Sequence, residues 1–343
     1  MDRPVQYPAN HSLDYSAQQP VDRPMDHPAQ YPVAHPTDRP PVIAVVGPTA
    51  AGKSDLGIAL AREFSGEVVN ADSMQLYRGL DIGTAKLSEA EREGVPHHLL
   101  DIWDVTERAA VAEYQRLARA EIDALLGDGR VPVLVGGSGL YVDAVLGGFD
   151  FPGTDPVVRA ELEARLEAEG SAALHAELAA RDSRSAEAIL PSNGRRIVRA
   201  LEVVLLTGAP FQASLPEAGY HYPDTVRIGL GVEKADLDDR ITRRVDIMWE
   251  KGLVDEVVGL IPRGLREGET ASRALGYQQV LDFLDGHCTE QQAREHTAVR
   301  TRQFARRQEK WFRRAQDTVW LARDRADLVS AAVRAVHAVG ATA

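Results

Sequence analysis

A phosphate-binding loop constrains the fold of this chain more than any other feature of its sequence. The octapeptide GPTAAGKS, residues 47–54, fits the pattern G-x-x-x-x-G-K-[ST] and follows the apolar run VIAVV, residues 42–46. Helical periodicity then extends from Lys53 to Phe64, so the octapeptide joins a buried strand to a helix. This context predicts a diphosphate or triphosphate site at the helix start, where backbone N–H groups attract anions.

The residues of the octapeptide have different expected roles. Gly47 and Gly52 permit tight turns, and the backbone N–H groups of residues 49–54 are expected to point inward as an anion nest. The ammonium group of Lys53 adds positive charge, and the hydroxyl of Ser54 is a candidate ligand for Mg²⁺. The predicted phosphate-binding residues of the loop are Gly47, Pro48, Thr49, Ala50, Ala51, Gly52, Lys53 and Ser54.

Strand and helix patterns alternate after the loop. EVVNAD (67–72) and VPVLVGG (131–137) indicate buried strands on either side of a helix at about 109–126. Parallel strands need such crossover helices, so the sequence predicts an α/β fold, a P-loop NTPase-like parallel sheet core with helices on both faces.

A helical region interrupts this alternation. Residues 155–208 show helical patterns only, and their first helix has Asp155 as N-cap before Pro156. TVRIGLGVE (225–233) then returns to strand character. The predicted domains are a P-loop α/β core at 41–149 plus 223–320, a helical insertion domain at 150–222, and a C-terminal helix or tail at 321–343.

Composition limits the class of protein and its location. Proline stands at every fourth residue from Pro20 to Pro40, which forbids a helix, so residues 1–40 are predicted to form a disordered Pro-rich tail. No apolar run approaches the ~18–20 residues that span a bilayer, and no signal-peptide core is present. With Cys288 as the single cysteine, we expect a cytoplasmic protein without a membrane partner.

Charge is unevenly distributed along the chain. The net charge is −12, but residues 294–314 contain eight Lys or Arg and two Glu, a local charge of +6. Phe304, Trp311 and Phe312 are interleaved with these cations, a pattern that suits an RNA backbone and an occasional stacked base. The alternative is that these aromatic side chains face the core while the arginines are solvated.

The motifs that normally accompany a nucleotide at this loop are missing. The sequence has no Asn-Lys-x-Asp guanine-reading motif, and VPVLVGG ends in glycines instead of a magnesium-binding acid. EVVNAD does end in Asp72, but SMQLY follows it directly. The sequence leaves two alternative functions open: a nucleoside or small-metabolite kinase that uses ATP, and a non-catalytic RNA-binding protein with a vestigial loop.

Seven linked stretches span residues 41–320: GPTAAGKS, NADSMQLYRGLDIGTAK (70–86), VPHHLLDI (95–102), VLVGGSGLYVDAVLGG (133–148), RRIVRALEV (195–203), RALGYQQ (273–279) and TRQFARRQEKWFRR (301–314). In this order they resemble the tRNA dimethylallyltransferase family, also called tRNA isopentenyltransferases. The resemblance implies transfer of a dimethylallyl group from dimethylallyl diphosphate to N6 of adenosine 37, adjacent to the tRNA anticodon. The diphosphate would occupy the loop in place of ATP, with Mg²⁺ as cofactor.

The resemblance and the residue chemistry together give expected catalytic roles. Alkylating an exocyclic amine needs a held diphosphate, a base for the N6 proton and a flipped adenine. Asp72 is the predicted base, although an Mg²⁺ ligand of a kinase or a helix N-cap would also fit. Ser138 stands where the family usually has Thr and keeps a hydroxyl for substrate. Arg240 and Arg244 are both candidates to clamp the diphosphate, and Arg244 is favoured.

Five segments match tRNA-contacting positions of the family, so the expected partner is the tRNA anticodon stem-loop, bound by a monomer. Without the resemblance, Arg159 is an ordinary helix-surface residue and Tyr277 fits a core aromatic equally well. The predicted tRNA-binding residues are Asp72, Ser73, Met74, Gln75, Ser138, Arg159, Arg195, Arg196, Ile197, Val198, Arg199, Arg273, Ala274, Leu275, Gly276, Tyr277 and Gln278.

Overall fold

The computed structural model describes residues 40–211 and 219–340, so nearly all of the predicted Pro-rich tail lies outside the described residues. Its centre is a six-stranded sheet in the order β3-β2-β4-β1-β5-β6, with every neighbouring pair parallel. The strands are β1 Val42–Val46, β2 Glu67–Asn70, β3 His97–His98, β4 Pro132–Gly136, β5 Thr225–Gly231 and β6 Val319–Ala322. The predicted α/β fold with a parallel sheet is confirmed.

Helices cover both faces of the sheet. Residues of β1 divide between two hydrophobic clusters: Val42, Ala44 and Val46 face the side of α2 and α3, and Ile43 and Val45 face the side of α1 and α12. This burial on both faces explains why the strand is apolar throughout. The helices of the α/β part are α1 Lys53–Glu63, α2 Val111–Gly127, α3 Gly139–Leu146, α8 Lys234–Glu250, α9 Leu253–Leu260, α10 Tyr277–Leu284, α11 Glu290–Phe312 and α12 Leu328–Gly340.

The helical region between β4 and β5 has a hydrophobic cluster of its own. Its helices are α4 Pro156–Glu169, α5 Ser171–Arg181, α6 Ser183–Ala188 and α7 Gly194–Thr207. Leu162, Leu174, Leu178 and Leu201 are among its buried residues. The predicted cap is present, because the carboxylate of Asp155 accepts hydrogen bonds from two N–H groups of the first turn of α4. These features support the predicted insertion domain, which remains a proposal.

The C-terminal segment, predicted as a helix or tail at 321–343, contains a helix, and a strand at its start joins the sheet. Strand β6 crosses the expected boundary at residue 320 and pairs with β5, with Ile228 opposite Val319. Helix α12 buries Ala332 and Val336 in the cluster that also contains residues of α1. A four-residue edge strand carries too little periodicity to be recognised in sequence, because its pairing with β5 defines it. Among the described residues, no helix is long and apolar enough to cross a membrane.

Candidate active site

A cavity of about 820 Å³ lies where the phosphate loop meets the carboxyl ends of β2 and β4. Parallel sheets commonly bind ligands at this edge. The walls are formed by the phosphate loop, by a segment at residues 81–88 and by α8. The side chains of this lining that can bind or react with a ligand include Lys53, Ser54, Asp72, Gln75, Arg240 and Arg244.

The glycines of the phosphate loop are required by its geometry. Gly47 has φ +142°, and a Cβ there would lie 2.9 Å from the carbonyl oxygen of Leu230. Gly52 has φ +89° and directly precedes α1, whose first N–H groups have no partner within the helix. One detail corrects the prediction for the nest: the N–H of Thr49 donates a 2.9 Å hydrogen bond to Gln308 and is therefore committed within the protein.

The ammonium group of Lys53 lies deep in the cavity and donates a 2.8 Å hydrogen bond to the carbonyl of Pro48. Burial lowers its pKa to about 8, with Asp72 opposing this shift and Arg244 adding to it. Burial likewise lowers the pKa of Arg244, and the nearby Asp72 counteracts this. Among the described residues, neither Lys53 nor Arg244 forms an ion pair with a carboxylate. Two such cations in one cavity favour an anionic ligand.

The two candidate arginines of α8 have different contacts. The Nε of Arg240 donates a 2.8 Å hydrogen bond to the carbonyl of Ala50, so Arg240 holds the phosphate loop itself. Arg244 makes only a long contact, 3.5 Å from its Nη2 to the carbonyl of Thr84. The preference for Arg244 as the diphosphate clamp therefore has structural support, and it remains a prediction.

Asp72 is held in a defined orientation directly after β2. Its N–H donates to Oδ1 of Asn70 at 3.0 Å, and its Oδ1 accepts the N–H of Met74 at 2.9 Å. The hydroxyl of Ser138 lies on the next segment, where it accepts the N–H of Ser73 at 3.1 Å and also contacts the Ser73 hydroxyl at 3.1 Å. Asp72 therefore lines the cavity, and the hydroxyl of Ser138 is held against its neighbour Ser73.

Other residues of this segment differ in accessibility. The amide of Gln75 lines the cavity and donates a 3.2 Å hydrogen bond to the carbonyl of Thr84. Met74 is half-buried and packs against the sheet core. Lys86 also lines the cavity, and its buried ammonium group bonds to Asp81 and Asp101.

Two predicted tRNA contacts of the helical region belong to a buried network. The guanidinium groups of Arg159 and Arg199 both contact the carboxylate of Glu202, which has no exposed surface. Ile197 and Val198 are also buried, in the cluster shared by α4 to α7, so their side chains cannot contact RNA as predicted. The sequence alone did not show which of the adjacent residues 195–199 of α7 face inward. Arg195 and Arg196 remain exposed.

The segment 273–278 likewise divides into inward and outward residues. Arg273 and Gln278 are exposed, Leu275 is half-buried, and Ala274 and Gly276 are buried. Tyr277 is fully buried and its hydroxyl donates to Glu256, so the core-aromatic interpretation is correct for its side chain and the predicted tRNA contact is not.

Several residues of the site were not found by sequence reasoning. Glu256 accepts the N–H groups of Asp81 and Ile82 and so holds the cavity wall. Asn70 orients Asp72, and Gln308 contacts the phosphate loop from α11. Each is a polar residue within a strand or helix, and its role is recognisable only when the inward face of that element is known.

The fold and this cavity define a P-loop α/β enzyme whose site combines an anion-binding loop with an adjacent carboxylate. The family model described as IPP transferase matches residues 75–315. The chain belongs to this family, whose curated relatives are tRNA dimethylallyltransferases.

The similarity to these relatives extends over most of the chain. A tRNA dimethylallyltransferase of Streptomyces avermitilis is 66% identical over 285 residues, which are 83% of this chain and 91% of the relative. The solved tRNA isopentenylpyrophosphate transferase of Bacillus halodurans is 42% identical with a TM-score of 0.64, covering 88% of this chain and 96% of that one. A eukaryotic dimethylallyltransferase, solved acting on tRNA, is 27% identical with a TM-score of 0.74 and covers 86% and 77%.

Proposed function

We propose that this protein transfers a dimethylallyl group from dimethylallyl diphosphate to N6 of adenosine 37 in tRNA. The products are N6-dimethylallyladenosine and diphosphate. The observation that carries the proposal is the placement of Asp72 in one cavity with the phosphate loop, Lys53 and Arg244. An anion-binding loop with an adjacent base is the arrangement that alkylation of an amine by a diphosphate ester requires.

The diphosphate leaving group is held by the loop in this mechanism. The N–H groups at the start of α1, the ammonium of Lys53 and the guanidinium of Arg244 bind the charge that increases on the leaving oxygen as its C–O bond breaks. Ser54 offers a hydroxyl to the same cavity, and a hydroxyl together with diphosphate oxygens and water is a donor set that Mg²⁺ accepts. When bound there, Mg²⁺ would supply further charge neutralisation on the leaving group.

Asp72 acts on the acceptor in this mechanism. As N6 of adenosine forms its bond to the prenyl carbon, the carboxylate of Asp72 takes the N6 proton. The contacts with Asn70 and Met74 fix the carboxylate in advance, so little reorganisation is needed during the reaction. The amide of Gln75 lines the same cavity and the hydroxyl of Ser138 is held beside Ser73, and we assign both to orienting the flipped base.

The tRNA is proposed to bind on the cation-rich outer surface. Exposed side chains of α11 and of the two residues that follow it form one cluster there: Arg306, Lys310, Arg313 and Arg314. Arg195, Arg196, Arg273 and Gln278 are exposed elsewhere on the proposed insertion and core domains and would contact the stem-loop. The burial of Phe312 and the exposure of Arg306 and Arg307 support a packing role for one face of α11 and RNA binding by the other. We further propose a cytoplasmic monomer.

The deciding experiment incubates the full chain with labelled dimethylallyl diphosphate, Mg²⁺ and tRNA, and measures labelled tRNA and released diphosphate. We expect diphosphate release only when both substrates are present. A matched tRNA with guanosine at position 37 should receive no label. ATP consumption without RNA would indicate the kinase instead, and tRNA binding without diphosphate release would indicate an RNA-binding protein.

A further inference from the structure

Gln308 has a position that the chemistry of transfer does not by itself explain. It belongs to α11 and is only 5% exposed. Its Oε1 accepts the N–H of Thr49 at 2.9 Å, and its Nε2 donates to the carbonyl of Gly137 at 2.9 Å. One side-chain amide therefore joins the phosphate loop to the residue before Ser138.

The turn at residues 137–139 packs closely against α11. A Cβ added at Gly137 would lie 2.3 Å from Nε2 of Gln308, and one added at Gly139 would lie 2.3 Å from Cδ1 of Trp311. The indole N–H of Trp311 also donates to the carboxylate of Asp143 at 2.7 Å. Helix α11 thus contacts the turn on both sides of Ser138, so this turn cannot shift independently of the helix.

The contacts continue from this turn to the proposed base. The Ser138 hydroxyl bonds to the N–H of Ser73, the neighbour of Asp72. A continuous series of hydrogen bonds and adjacent residues therefore links the phosphate loop, Gln308, Ser138 and Asp72. Only a primary amide of this length offers both an acceptor for Thr49 and a donor for Gly137.

We infer that Gln308 is a positioning residue that sets the phosphate loop at a fixed distance from Ser138 and Asp72. It contacts no reacting atom, and its effect on catalysis rests on the proposed function. Its effect on the phosphate loop is independent of the proposed function, because a loop that is poorly held binds diphosphate less tightly whatever reaction follows.

The test compares Gln308→Met, which keeps the length and removes both hydrogen bonds, with Gln308→Asn, which keeps the amide but shortens its reach. Gln291→Met is the matched control, because Gln291 is exposed on the same helix and lies outside the proposed tRNA-binding segment at 294–314. Calorimetry with magnesium diphosphate gives the affinity of the loop, and transfer assays give kcat and the KM for tRNA. We expect both Gln308 variants to lose on the order of tenfold in diphosphate affinity and in kcat.

The tRNA measurement distinguishes this role from general damage. The KM for tRNA should stay within about twofold of the wild-type value in both variants, and the control should match wild type throughout. A folded Gln308 variant, monitored by circular dichroism, with wild-type diphosphate affinity and kcat would overturn the inference. If Gln308→Met does not fold, Gln308→Asn decides. A wild-type protein that transfers nothing would refute the proposed function, while the diphosphate affinities would still decide the role of Gln308.

Discussion

Nη1 of Arg159 lies 2.8 Å from Oε2 of Glu202, a carboxylate with no exposed surface. Arg199 contacts the same oxygen at 2.7 Å, and Thr154 donates its hydroxyl to the other oxygen. Burial alone would raise the pKa of Glu202, but the hydrogen bonds from Thr154 and Arg199 and the positive charges of Arg199 and Arg159 hold it below its ordinary value. The network joins the start of α4 to α7 and fixes the geometry of the helical region.

Arg159→Ala should therefore act mainly on stability. Losing one partner of a buried carboxylate is expected to reduce the free energy of unfolding by about 1–3 kcal/mol, measured by urea denaturation. Arg195→Ala is the matched control: its side chain is exposed, so stability should change by less than about 0.5 kcal/mol while tRNA affinity falls. Unchanged stability with weakened tRNA binding in Arg159→Ala would restore its predicted role as an RNA contact.

Tyr277 and Gln278 are neighbours with opposite expected behaviour. Tyr277→Phe removes the buried tyrosine hydroxyl and its hydrogen bond to the half-buried Glu256, so we expect the protein to lose about 1–2 kcal/mol of stability while its Kd for tRNA is unchanged. Gln278→Ala, on an exposed side chain, should weaken tRNA binding without loss of stability. Thermal unfolding and filter binding on both variants check this, and a large tRNA defect in Tyr277→Phe would contradict it.

Asp72→Asn tests the proposed base. The substituted amide keeps an oxygen for the N–H of Met74 but cannot take a proton, so kcat should fall by about 10²-fold or more. Affinity for diphosphate should be retained or increase, because a negative charge near Lys53 and Arg244 has been removed. Single-turnover assays and calorimetry measure the two quantities. Near-normal turnover in this variant would exclude Asp72 as the base.

Lys53 gives the reaction a predicted dependence on pH. Burial lowers its pKa to about 8, and only the protonated form attracts diphosphate. With respect to this group, kcat/KM for the donor should be constant below about pH 8 and fall by about tenfold per unit above it. Lys53→Arg should lower activity but remove this fall, since Arg stays protonated. An unchanged alkaline decline in Lys53→Arg would assign it to another group.

The outer face of α11 should determine how tRNA binding responds to salt. Arg306 makes only a 3.5 Å contact with Asp238, and Arg307 is exposed beside the Phe304 ring. Arg306→Ala and Arg307→Ala should each weaken tRNA binding and reduce the slope of log K against log salt by about 1. Arg325→Ala, on a surface arginine paired with Asp327, is the control and should leave the slope unchanged. Equal slopes in all variants would argue against this surface.

Local patterns predicted the elements that carry their own signals. β1, β2, β4 and β5 were recognisable because each contains apolar, β-branched residues, and Asp155 marked the start of α4 because capping depends on nearby residues. Two strands were missed because they lack such local signals. His97–His98 and Val319–Ala322 are short edge strands, and pairing with β2 and β5 defines them more than their composition does.

The sequence by itself determined a loop that is suited to binding phosphate, since a glycine-rich turn between a strand and a helix offers N–H groups to an anion. It also placed Asp72 at a strand end beside this loop. Only the tertiary structure decided which polar residues are available to a ligand. Arg159 pairs with the buried Glu202, the side chain of Tyr277 lies in the core, and Thr49 bonds to Gln308, 259 residues away. Spacing along the chain cannot reveal such pairs, because their partners come together only when the sheet and its helices pack.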